Sequence, residues 1–335
     1  MADGTPIEWT DATWNPITGC SVVSPGCTNC YAMKLAGSRL RNTPSRAGLT
    51  QETKGGSVWT GEVRFNGQWL DQPLRWRRPR MIFVCAHADL FHENVPDEWI
   101  DRVFAVMALA PQHQFQVLTK RPERMQDYCC RADERGRHPS MTAAALMAAT
   151  GRWNTPALDL GLWPLSNIWL GVSVEDHYRA AERIPILCET PAALRWVSAE
   201  PLLGAIHVSL ADIDWVVAGG ESGAGARPMY PGWVRSLRDQ CANAGIPFLF
   251  KQWGSWSVHE VDAGGRIEPG MDMTSLAGIR HWIGDRFIEP DEGASVADVI
   301  HPFAILAIPC GKKRAGRLLD GALHDEFPSL EVPFG

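Results

Sequence analysis

Ile168-Trp-Leu-Gly-Val-Ser-Val174 is a seven-residue run that is apolar almost without interruption, and it does not alternate between apolar and polar. A strand half-exposed to water would alternate, so this pattern suits a strand buried on both faces, as in a parallel sheet covered by helices. The same kind of run recurs on either side: 81–85 (MIFVC), 115–118 (FQVL), 194–197 (LRWV), 213–218 (IDWVVA) and 246–250 (IPFLF).

The segments between these runs read as helices. Residues 97–110 follow Pro96, carry acid in the first turn and place Trp99, Ile100, Val103, Phe104, Val106 and Met107 on one broad face. Residues 233–244 follow Pro231-Gly232 and stop at Gly245, and 176–187 form a weaker case interrupted by Pro185. Strand and helix in alternation mean βα units on a parallel sheet, and six such strands predict an α/β fold with a complete or partial (β/α) TIM-like barrel. The expected organisation is a barrel domain over 1–254, with an insertion at 122–164 that is partly helical around 140–150. An irregular, Gly-rich and acidic extension over 255–335 then ends in a basic element, Gly311-Lys-Lys-Arg-Ala-Gly-Arg317.

The net charge of −6 gives no global attraction to nucleic acid and leaves only local basic patches to consider. Two exist: 75–80 (RWRRPR), where Trp76 suits base stacking, and 312–317; a solvated face is the plainer account of both. No stretch of about 18 apolar residues exists to cross a membrane, and the polar N-terminus does not read as a secretory signal, so a cytoplasmic protein is expected. Nine cysteines, an odd and scattered set, argue against a disulfide framework.

Three of the nine stand apart. Cys20, Cys27 and Cys30 are spaced C-x6-C-x2-C in a loop punctuated by Gly19, Pro25 and Gly26. Thiolates are soft ligands that select zinc, Cu(I) or iron–sulfur. A structural zinc site wants four protein donors, and no fourth cysteine or histidine lies nearby in sequence; His87 and His92 would have to arrive from a strand end. A four-iron cluster held by three cysteines leaves one iron open to a small molecule. The spacing leaves both readings open.

In barrels of this kind the active site gathers at the carboxyl ends of the strands. The residues there are His87 and Asp89; Thr119, Lys120 and Arg121; Ser173 and Glu175; Ser198 and Glu200; Gly219, Gly220 and Glu221; and Lys251 and Gln252. Glu175, Glu200 and Glu221 could meet ribose hydroxyls or an ammonium group. Lys120, Arg121 and Lys251 could meet a carboxylate or phosphate.

The chain resembles the phage Gp37/Gp68-like family of unknown function. The likeness runs through 7–16, 24–32 (SPGCTNCYA), 88–96 (ADLFHENVP), 118–122 (LTKRP), 169–175, 198–203 (SAEPLL), 219–223 (GGESG), 250–254 (FKQWG) and 311–321. Its cysteine segment, with Asn15-Pro16, Gly19-Cys20, Cys27-x2-Cys30 and Tyr31-Ala32, is similar to that of spore-photoproduct-lyase-like members of the radical S-adenosylmethionine superfamily. Here C-x6-C replaces C-x3-C, Asn29 replaces an aromatic residue, and Gly-Gly-Glu falls late in the chain.

This resemblance implies a [4Fe-4S] cluster on Cys20, Cys27 and Cys30, with S-adenosyl-L-methionine on the open iron. It also implies an electron donor as partner and hydrogen abstraction from a substrate, with DNA or a nucleotide as the class considered. Tyr31, Ser198, Glu200, Gly219, Gly220 and Glu221 are then candidates to hold the cofactor, and Asp89, Lys120, Arg121, Glu175, Lys251 and Gln252 the substrate. The competing expectation is a zinc-stabilised phage-associated protein that binds nucleic acid or acts as a scaffold, without redox chemistry.

Overall fold

The computed structural model describes residues 4–131, 163–263, 280–283, 286–288 and 304–329. Seven strands build its main sheet: β1 (Ala12–Trp14), β2 (Met81–Val84), β3 (Gln114–Thr119), β4 (Ile168–Ser173), β5 (Leu194–Ala199), β6 (Trp215–Gly219) and β7 (Phe248–Gln252). Each pairs in parallel with the next, so spatial order equals chain order. The order never reverses, so right-handed crossovers keep the connecting helices on one side and the sheet curls into a half-barrel. Among the described residues β1 and β7 do not pair, and the sheet stays open between them. Every residue of β4 and β6 is buried, which is why both read as nearly unbroken apolar runs.

Among the described residues, five helices of seven residues or more accompany the sheet: α1 (Tyr31–Gly37), α2 (Asp97–Ala108), α3 (Pro122–Cys129), α4 (His177–Glu189) and α5 (Pro231–Ala244). Their ends obey local chemistry. Asp176 caps α4 by accepting from the Arg179 amide at 2.9 Å, and Gly245 ends α5 in the left-handed conformation at φ 69°. The start of the segment read as an insertion is α3 itself. The helix expected around 140–150 lies outside the described residues.

The outer core lies between sheet and helices, where Val84, Val117, Leu170 and Val197 meet Val103, Phe104, Ile184 and Leu187. The concave side is filled by tryptophan. Trp9, Trp169, Trp196 and Trp215 form one buried cluster with Val217 and Leu249. Gly171 makes this possible, since a Cβ there would stand 2.5 Å from the Trp196 indole nitrogen.

The free edge of β7 is covered by the C-terminal segment. The Phe250 amide donates to the His324 carbonyl at 2.8 Å, Leu249 bridges Asp325, and the Phe327 ring packs 5.2 Å from Trp215. Within the irregular extension, four short strands pair in antiparallel fashion: β8 (Trp256–Glu260), β9 (Arg280–Ile283), β10 (Arg286–Ile288) and β11 (Ile305–Pro309), in the order β8-β11-β9-β10. Among the described residues no helix is long and apolar enough to cross a membrane.

Candidate metal centre

The cysteine loop is laid across the carboxyl ends of the strands. Gly19 has φ 98°, and a Cβ there would overlap the Glu62 carbonyl oxygen at 2.1 Å, so glycine is required at this turn. Its amide donates to the His87 carbonyl at 3.1 Å, which fixes Cys20 beside the end of β2. Pro25–Cys27 form a single 3-10 turn, and Cys30 stands at the entrance of α1.

All three cysteines are free thiols and line one cavity of about 630 Å3, counting its open mouth. The floor comes from the ends of three neighbouring strands: Phe83 in β2 with Ala86 to Asp89 after it, Leu118 to Arg121 at β3, and Ser173 at β4. Tyr31 and Trp59 complete the wall. Burial, and then the Asp89 carboxylate, push the Cys20 thiol up to about 12, while the Arg121 guanidinium 3.8 Å from its sulfur opposes them. Burial likewise raises Cys30. Cys20 and Cys30 are therefore protonated in the metal-free chain, and a metal would have to displace those protons. Among the described residues no three His, Cys, Asp or Glu side chains converge closely enough to hold a single ion. The three thiols are set around a cavity wall instead.

The other candidates fall into three groups. The first is at the cavity. Asp89 is buried and accepts from Thr119 Oγ1 (2.7 Å), the Phe91 and Lys120 amides (both 3.0 Å) and Arg121 (3.0 Å). Arg121 also reaches Glu93 and Ser21, each at 2.6 Å. Burial alone would raise Glu93, but the bonds from Arg121 and Ser21 outweigh it and hold the carboxyl at about 2. Lys120 directs its ammonium to the Ser173 hydroxyl at 2.5 Å and meets no carboxylate among the described residues. Burial, and then Arg46, push His87 down to about 4, so its imidazole is neutral.

The second group clamps the cysteine loop. Glu175 is fully buried and accepts from the Gly26 amide and from Arg183, each at 3.2 Å. Glu221 accepts from Asn29 (2.9 Å) and, through both oxygens, from Arg227 (2.6 and 2.9 Å). Burial would raise the Glu221 carboxyl, yet Arg227 and Asn29 hold it below its usual range. Both carboxylates, read from sequence as ligand contacts, are thus engaged by the protein's own groups.

The third group lies apart from the cavity. Glu200 accepts from Lys251 (2.8 Å), Trp9 (3.1 Å) and Ser198 (3.3 Å). Gly219 lies against this pair, 3.2 Å from Glu200 when a Cβ is added. Gly220 abuts the Trp253 carbonyl, and Gln252 is buried with its side-chain oxygen unpartnered.

Sequence reasoning missed Asn29, Arg183 and Arg227 as site residues. Nothing in their spacing announces them; only the fold brings Asn29 to Glu221. The basic stretch 75–80 precedes β2 and so sits at the amino end of the sheet, opposite the cavity. Trp76 is half-buried there under Arg80, at 4.9 Å, and against His113. In the second basic stretch Lys312 pairs with Glu8 at 2.9 Å and Arg317 pairs with Asp325.

Fold and site together define a half-barrel α/β protein with a three-cysteine cavity at the carboxyl ends of its strands. Over residues 4–328 the chain matches the family described as "Protein of unknown function (DUF5131)", and it belongs to that family. No curated protein and no solved structure matches it.

Proposed function

We propose that this protein is an iron–sulfur enzyme of the radical S-adenosylmethionine kind. The observation that carries the reading is the placement of Cys20, Cys27 and Cys30 around one cavity at the carboxyl ends of barrel strands. The likeness of the cysteine segment to that superfamily, and of the chain to the phage Gp37/Gp68-like family, belongs to the same proposal.

The three thiols would hold a [4Fe-4S] cluster, with Arg121 donating to the Cys20 sulfur and Lys120 adding positive charge toward Cys30. When bound, such a cluster would supply one-electron reduction of S-adenosyl-L-methionine with an electron from an external donor, the chemistry that yields methionine and a 5′-deoxyadenosyl radical able to take hydrogen from substrate. The protein's part is orientation and exclusion of water. Lys120 and Ser173 offer a cationic, hydrogen-bonding corner for a carboxylate or phosphate. Phe83, Ala86 and Leu118 give an apolar floor. The Tyr31 ring, half-exposed at the mouth, offers a stacking face for a base, and the substrate we propose is a nucleotide or nucleic acid.

The test is anaerobic reconstitution with iron and sulfide, then addition of S-adenosylmethionine and dithionite. Formation of 5′-deoxyadenosine supports the proposal. A colourless protein carrying one zinc refutes it and favours a zinc-stabilised nucleic-acid-binding or scaffold protein.

A further inference from the structure

Three cysteines leave one position of a four-iron cluster without a protein donor. Few groups in the cavity wall can fill it. Beyond the cysteines, the ionisable lining residues are Tyr31, His87, Asp89, Lys120 and Arg121. The Tyr31 hydroxyl is committed to the Ala86 carbonyl at 2.6 Å. Asp89 accepts four hydrogen bonds from its own neighbours. Lys120 and Arg121 are hydrogen-bond donors with no lone pair to give. His92, the other histidine of this strand end, uses both nitrogens: Nε2 meets Ser21 Oγ and Nδ1 accepts from the Asn94 amide, each at 3.0 Å.

His87 differs from all of these. His87 lines the cavity, its Nδ1 is sealed off without a partner, which leaves Nε2 as the accessible ring nitrogen, and no hydrogen bond to either occurs among the described residues. The residue is also tied to the cysteines on both sides. Its amide donates to Asn15 Oδ1 at 2.9 Å, and its carbonyl accepts from Gly19, next to Cys20. Its ring stands edge-on 5.9 Å from that of Tyr31, next to Cys30. The Nε2 lone pair, accessible and with nothing to bind among the described residues, is a donor awaiting an acceptor.

We propose that His87 is the fourth protein donor of the centre, completing a Cys3His set, and that it yields its position when a small-molecule ligand binds there. This rests on the three-cysteine reading above. It makes the resting centre closed, and the ligand a competitor of the imidazole.

The test uses full-length protein labelled with 15N-histidine, reconstituted anaerobically with iron and sulfide, reduced with dithionite and examined by pulsed EPR. The wild type should show coupling to a histidine nitrogen that disappears on adding S-adenosylmethionine. His87→Ala should lack the coupling. His87→Cys, which restores a fourth donor, should lack it while keeping its iron, and should respond less to S-adenosylmethionine. Coupling that survives in both variants, or a wild-type cluster without coupling, overturns the assignment. Cys20→Ala separates the two claims: retention of iron there sinks the three-cysteine reading itself. Its loss there, with His87 variants spectrally unchanged, sinks only the role of His87. A wild type that takes up no iron overturns both.

Discussion

Glu221 grips Arg227 through both carboxylate oxygens, and Arg227 in turn donates to the Pro25 carbonyl at 3.0 Å, two residues before Cys27. This links the end of β6 to the cysteine loop across most of the sequence. Asn29 extends the link, since its amide donates to Glu221 while its oxygen accepts from Lys34. Glu221 of the late Gly-Gly-Glu thus holds the loop. Glu221→Gln should weaken metal retention about 10- to 100-fold, as loss of a residue supporting a metal ligand does, measured by chelator competition. The loss in thermal stability should be smaller than for a buried pair, because Arg227 is about a third exposed.

Gly171 is the second point of test. With a Cβ 2.5 Å from the Trp196 indole, Gly171→Ala should cost about 1–3 kcal/mol by overpacking, read as a lower denaturant midpoint. Trp196→Phe combined with it should recover part of that loss, because the smaller ring frees the space.

This tight fit also explains what the sequence disclosed. Strands buried on both faces are legible because few polar residues are tolerated in them away from their carboxyl ends, and all six apolar runs became strands of the sheet. β1 escaped notice: three residues, Ala12-Thr13-Trp14, make no run. The antiparallel sheet of the extension was hidden because β8 and β11 pair across more than forty residues of weak pattern. The strand-end polar residues were legible as a set but not in their roles. A carboxylate's partner, such as Arg183 for Glu175 or Arg227 for Glu221, is fixed by three-dimensional approach, and sequence carries no record of it.

The C-terminal segment should be a seal rather than an ornament. Residues 324–327 satisfy the β7 edge and cover Trp215. Truncation before His324 should expose unpaired backbone groups and lead to association, seen by light scattering at concentrations where the full chain is monodisperse.

Glu93 gives a pH prediction. Its folded pKa of about 2 lies below its usual 4.5, so its contribution is present above 4.5 and lost as pH falls toward 2. Glu93→Gln should flatten that part of the acid-unfolding curve. The effect should be small, because the side chain is more than half exposed.

The most direct test of the central claim is iron and sulfide analysis of the anaerobically reconstituted protein beside Cys20→Ala, Cys27→Ala and Cys30→Ala. The account predicts about four iron and four sulfide per chain in the wild type, lost in each variant while circular dichroism stays unchanged. A wild type with a single zinc and no sulfide, or iron retained in all three variants, would contradict it.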